Sequence, residues 1–147
     1  MNTGSMPTLK IGNLEINPPI IQGGMGVRVS RANLAAAVAN EGCAGIIASA
    51  GIGKYENYPK SASSEINSKA LRHEIQKARS MTGGVIGVNI MVALCDYDTL
   101  ARTAVDEKVD MIISGAGLPL SLPKHLKGND VKSVSYTHLT LPTTPYV

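Results

Sequence analysis

The chain alternates between short apolar runs and segments in which apolar residues recur every three or four positions. Thr8 to Ile16 (TLKIGNLEI) holds two alternating runs joined by Gly12 and Asn13, the pattern of a β-hairpin. Four later runs, Pro19 to Gln22, Ala44 to Ser49, Val85 to Val92 and Val109 to Ser114, are apolar without strict alternation. Such runs suit parallel strands covered on both faces. Three segments between them carry helical spacing. The first starts at Ser30, a good N-cap, continues from Arg31 to Asn40 with Leu34, Ala35 and Val38 on one face, and stops near Gly42. The second runs from Ser64 to Ser80 with Ile66, Ala70, Leu71, Ile75 and Ala78 inward, and the third from Asp98 to Lys108 with Leu100, Ala101, Ala104 and Val105 inward, capped by Asp96 or Asp98.

Behind the hairpin the predicted order is therefore β-α-β-α-β-α-β, which implies an α/β fold with a parallel sheet and right-handed crossovers. Either a doubly wound sheet or a TIM (β/α)8 barrel satisfies it. Glycine placement favours the barrel: Gly23, Gly24, Gly26, Gly51, Gly53, Gly115 and Gly117 all follow predicted strands, on the face where barrels build their sites. Four strands are used by residue 114, whereas eight need roughly 230 residues or more. The expectation is the N-terminal half of a barrel over residues 1–132, preceded by the hairpin.

Composition narrows the function classes. The chain has no Phe and no Trp, so its core must be aliphatic and packed with alanine. Its 14 Lys and Arg against 11 Asp and Glu are scattered, without a basic cluster interleaved with aromatics, which argues against nucleic acid. No run approaches 18 apolar residues and the start lacks a secretory pattern, so no membrane role is expected. Cys43 and Cys95 form neither a CxxC pair nor a ligand set with His73 or His125; no metal site is expected, and a reduced cytoplasmic setting fits best. Nucleotide fingerprints fail as well. A G-x-G-x-x-G count started at Gly24 breaks at Val29, and ASAGIGKY has Ala48 where a phosphate loop needs its first glycine and Tyr55 where it needs Ser or Thr.

Three segments are more specific: Pro18 to Gly26 (PPIIQGGMG), Gly87 to Met91 (GVNIM) and Ser114 to Pro119 (SGAGLP). In this order and spacing they resemble the flavin-dependent nitronate monooxygenases, formerly called 2-nitropropane dioxygenases. Leu34 to Ser49 resembles that family's first helix and second strand, although Cys43 stands where a small residue, usually glycine, is commoner. The likeness covers Ile11 to Lys132 and extends to FMN-containing enoyl-acyl-carrier-protein reductases, which share these motifs. It implies a barrel binding FMN at the C-terminal ends of its strands, with the backbone of Gly23, Gly24 and Met25 against the flavin and the Asn89 amide within hydrogen-bonding reach. Gly115 and Gly117 line the same mouth. The resemblance further implies oxidation of an alkyl nitronate by O2, with NADH-driven reduction of an enoyl thioester as the alternative. Its catalytic histidine belongs to the second half of the barrel, so no catalytic residue is expected here. Phosphate loops after strands seven and eight also lie in that half.

Without the resemblance, each of these residues has a structural explanation. Asn89 could bond a neighbouring loop, Met25 could fill the core, and Gly115 and Gly117 could serve only a tight turn. The tail is different again: Val134 to Thr143 (VSYTHLTLPT) resembles the translation of a transposase sequencing adapter, so residues 133–147 are expected to be non-native, His138 among them. A non-catalytic half-barrel that self-associates through open sheet edges is the reading from another class, and homo-oligomers are one expected partner.

Overall fold

The computed structural model describes residues 6–54 and 63–136. Strands β1 (Leu9–Ile11) and β2 (Leu14–Ile16) form the expected antiparallel hairpin, with Gly12 at the turn at φ +61°. A left-handed backbone there suits glycine. The chain then alternates through α1 (Ala32–Asn40), β3 (Gly45–Ala48), α2 (Ser63–Met81), β4 (Ile86–Met91), α3 (Tyr97–Asp106), β5 (Met111–Gly115), α4 (Leu122–Leu126) and β6 (Lys132–Ser135). The last four strands make one parallel sheet in the sequential order β3-β4-β5-β6.

The placement of the helices decides between the two α/β architectures. Ile47 of β3, Ile86, Val88 and Ile90 of β4 and Ile112 of β5 share one apolar cluster with Ala35 and Ala39 of α1, Leu71 and Ile75 of α2, and Leu100 and Ala104 of α3. All three long helices thus cover the same face. The opposite face contributes Ile46 and Met111 to a second cluster with Ala44 and Ile16, against which Leu9, Ile11 and Leu14 of the hairpin pack. Helices on one face of a sequential parallel sheet, with the hairpin plugging the other, form the opening portion of a (β/α)8 barrel; a doubly wound sheet would carry helices on both faces. Inside, Ile46, Gly87 and Met111 stand in one register row and Ala48, Asn89 and Ile113 in the next. Gly87 leaves the room its neighbours fill, since a methyl there would lie 2.7 Å from Ile46 Cδ1.

Alanines draw α1 close to the sheet. Ala32, Ala35 and Ala36 are fully buried, and Gly45 meets the backbone of Ala35 directly.

Several expectations need correction. Pro19 to Gln22 does not form a strand; it contributes a single parallel bridge, Ile21 to Ala44. Pro18 and Pro19 have no N–H to donate, so the segment is held by two bonds, Gln22 N to Ala44 O at 3.0 Å and Ala44 N to Ile20 O at 2.9 Å. Ser30 is not the cap of α1. That position falls to Arg31, whose side chain makes no cap bond, and the Ala32 N–H instead donates to Glu74 Oε2 of α2 at 2.8 Å. Asp96 does occupy the N-cap of α3, but its side chain accepts from Asn67 Nδ2 at 2.8 Å rather than capping the helix. Neither α4 nor β6 was foreseen. Strand β6 pairs Ser133 with Ile112 and Val134 with Ile113, so the expected boundary of the non-native tail falls inside a strand. The rest of that tail, with His138, lies outside the described residues.

Candidate functional site

Among the described residues four non-glycines adopt left-handed backbone; Lys108, in the turn before β5, is one, and the other three lie at the C-terminal ends of the strands. Val27 and Arg28, after the first glycine loop, have φ +50° and +69°, and Ala116, between Gly115 and Gly117, has φ +56°. Left-handed backbone costs a β-branched or long side chain energy, and such strain collects at ligand sites.

The loop from Gly23 to Val29 hangs between two polar side chains. Gln22 donates through Nε2 to the Ile46 carbonyl at 3.2 Å and accepts at Oε1 from the Ile46 N–H, also at 3.2 Å. Its amide therefore stands in for a peptide unit and extends the sheet where the backbone leaves it. Ser30, buried, accepts from Gln22 Nε2 and from the Met25 N–H, each at 3.0 Å, while its own carbonyl accepts from Ala48 N. The loop is also tied to its neighbour by Val27 N donating to Ala50 O at 2.8 Å. These two residues were not singled out as site residues from the sequence. A Gln ending an apolar run directly before glycines was the available signal.

Held in this way, the backbone of Gly24 lies on the Asn89 side chain: a methyl at Gly24 would come within 2.6 Å of Asn89 Cβ and 3.1 Å of its Cγ. Gly23 is the opposite case. It is exposed, has nothing within 4 Å of where a side chain would begin, and so is not required to be glycine by its own chain. Asn89 sits on the inner face of β4, half-buried, and no described residue forms a hydrogen bond with its side-chain amide. Met25 is 63% exposed, which removes it from the core, and Met91 at the end of β4 is 38% exposed. Gly115 is the last residue of β5, opposite Met91, rather than part of the loop after it. A methyl there would collide with the Tyr136 hydroxyl. Gly117, at φ +146°, packs against Val92. Gly23, Gly24, Met25, Asn89, Gly115 and Gly117 thus all belong to the strand-end side of the sheet.

The other chemistry-bearing side chains are elsewhere. His73 is exposed on α2, and His125 of α4 bonds Asp98 Oδ1 through Nε2 at 3.0 Å. Hydrogen bonds from Ser121 and His125 hold the Asp98 carboxyl below its ordinary pKa. Cys43 is buried and Cys95 exposed. Buried Tyr97 shares a 3.0 Å hydrogen bond with Ser114 on the helix side of the sheet, and burial pushes its phenol upward. Among the described residues there is no group of three or more His, Cys, Asp or Glu able to hold a metal ion, and no helix long and apolar enough to cross a membrane.

Comparison with known proteins agrees with this geometry. The structure is similar to FabK from Thermotoga maritima, with 32% identity and a TM-score of 0.62 over 80% of this chain and 33% of that one. A single-residue mutant of the same protein gives 32% identity and a TM-score of 0.64, covering 80% and 34%. The chain therefore spans about a third of the length of those proteins. No curated protein sequence matches. The family model for nitronate monooxygenase matches residues 7–127, a stretch that contains the hairpin, both glycine loops and Asn89, and the chain accordingly belongs to the nitronate monooxygenase family.

Proposed function

We propose that this chain supplies the flavin-facing N-terminal portion of an FMN-dependent oxidoreductase. The observation that carries the reading is the contact of the Gly24 backbone with Asn89, whose amide has no described partner. The amide is half-buried and uncommitted, so it is available to a ligand at the strand ends. The residues fit the group. Gly23 and Gly24 leave the backbone bare beside a flat ring, Met25 and Met91 offer exposed apolar surface, and the Asn89 amide offers one donor and one acceptor. When bound, FMN would supply the electron-transfer chemistry. The chain's own contribution is to orient the ring through the Gly23–Met25 backbone and to satisfy its polar edge through Asn89, while Gln22 and Ser30 keep that loop in place.

For the substrate, oxidation of an alkyl nitronate by O2 is the reading supported by the family match. Likeness to FabK supports the other one, reduction of an enoyl thioester by NADH. The test uses the full-length protein carrying this sequence. It is expected to be yellow, and nitronate-dependent oxygen uptake should exceed enoyl-dependent NADH oxidation in the same sample. The reverse order would favour the reductase, and a colourless protein that cannot be reconstituted with FMN would sink both.

Asn89→Ala is expected to weaken FMN binding about 10-fold, the loss of roughly one hydrogen bond, as read by quenching of flavin fluorescence. Gly24→Val should weaken it more, because the side chain displaces the loop from Asn89.

The adapter origin of residues 133–147 is a separate proposal, which rests on the likeness of VSYTHLTLPT to a translated adapter. Resequencing the coding DNA past the Lys132 codon from independent material should replace YTHLTLPTTPYV; recovery of the same tail would overturn it.

A further inference from the structure

One side chain outside the candidate site joins two of the loops that surround it. Asn67, half-buried near the start of α2, is committed at both ends of its amide. Its Oδ1 accepts from the Gly53 N–H at 3.1 Å, and its Nδ2 donates to Asp96 Oδ2 at 2.8 Å. Gly53 belongs to the loop that follows β3, and Asp96 to the loop that follows β4. Both partners are buried, so water cannot replace either bond without cost. The bond to the carboxylate is of the stronger kind. Gly53 shows how closely the parts fit: a methyl there would lie 2.7 Å from Asn67 Oδ1 and 2.7 Å from Ile66 Cγ2.

The loop after β3 in turn holds the first glycine loop. Ala50 O accepts from the Val27 N–H at 2.8 Å, and a methyl at Gly26 would meet the Ala50 Cβ and carbonyl oxygen at 3.1 Å. Within the loop, Ile52 N donates to Ser49 O at 3.1 Å and Lys54 N to Gly51 O at 3.2 Å. These consecutive turns make residues 49–54 one piece, anchored by Asn67 at Gly53 and touching the glycine loop at Ala50. Val27 depends most on that support. Its φ of +50° is an outlier for a β-branched residue, and such backbone persists only while its neighbours hold it.

We infer that Asn67 is a positioning residue for the flavin-facing loop. Acting through Gly53 and Ala50, it holds residues 23–29 in the conformation that lays Gly24 on Asn89. Its bond to Asp96 fixes the loop after β4, the strand that carries Asn89, in the same frame. The linkage between the loops rests on these contacts alone, and its consequence for FMN rests on the proposed flavin function.

The test exchanges the two ends of the contact. Asn67→Asp keeps an acceptor for Gly53 but sets a second carboxylate against Asp96, and adding Asp96→Asn restores an amide-to-carboxylate bond in the opposite direction. Hydrogen exchange is followed in the FMN-free full-length protein, with the Ile112 amide of β5 reporting global stability. Exchange at the Val27 amide is expected to be about 10-fold faster in Asn67→Asp, beyond any change at Ile112, and to return to within about 2-fold of wild type in the double variant. FMN affinity should follow the same order, about 10-fold weaker and then restored. A Val27 amide that changes no more than Ile112 in Asn67→Asp, or that stays fast in the double variant, would overturn the inference. Failure of the flavin reading is a separate result: wild type would bind no FMN while the Val27 pattern persisted, and the loop linkage would stand.

Discussion

Gly45→Ala is expected to be among the most destabilising single substitutions in this chain. The added methyl would overlap the Ala35 carbonyl oxygen and lie 2.6 Å from its carbonyl carbon and 2.9 Å from its Cα. All three atoms are backbone, so no side chain can rotate away. Ala35 is fully buried, and α1 is fixed on its other side by Glu74, so relief requires the whole helix to lift from β3. Overpacking of this kind costs about 3 kcal/mol or more, at the top of the usual range. The urea midpoint should fall accordingly, with loss of amide protection in α1. Gly115→Ala is the control. Its methyl meets only the end of the half-exposed Tyr136 ring, and the change should cost less than about 1 kcal/mol. Equal midpoints for wild type and Gly45→Ala would contradict the close approach of α1 to the sheet.

Glu74→Ala should be comparably severe, by a different route. The variant deprives Arg31 of its ion-pair partner and leaves the buried first N–H of α1 without an acceptor. About 2–4 kcal/mol of stability should be lost, whereas Glu74→Gln, which can still accept from Ala32, should lose roughly half as much. Acid should erase the difference. The Glu74 carboxyl titrates below its ordinary 4.5 in the folded chain, so its contribution is complete above that value and disappears as pH falls through the lower folded pKa. Wild type and Glu74→Gln are therefore expected to converge in urea midpoint once the pH falls below the depressed folded pKa of Glu74, and to separate above 4.5. A gap independent of pH would show that charge at Glu74 contributes nothing.

Much of this architecture was legible wherever the cause is local. Gly12 and Asn13 between two alternating runs marked the hairpin, and the spacing of Ile66, Leu71, Ile75 and Ala78 placed α2 to within a residue at each end. Errors arose where a partner is distant in sequence. Ser30 has the chemistry of a cap, yet the acceptor that fills the role is Glu74, 42 residues beyond Ala32. PIIQ has the hydropathy of a strand, but Pro18 and Pro19 withhold the donors a ladder requires. Helix α4, five residues with a proline near its start, is too short for periodicity to register. For the candidate site, spacing alone could not bring Gly24 to Asn89; the family motifs did so, and the register of β4 beside β3 supplies the geometry.

The paired bonds of Gln22 to Ile46, with Ser30 closing the far end, give the first strand-end loop an unusual independence. Side chains at its two boundaries and backbone bonds of Met25 and Val27 carry the attachment, so within the loop only Gly24, packed on Asn89, and Gly26, packed on Ala50, are held to their identity. Around those two glycines, residues 23–29 are thus a natural cassette. A protein engineer could exchange the sequence between those two anchors, as one exchanges a hypervariable loop on an antibody framework, and expect the barrel wall to keep its register.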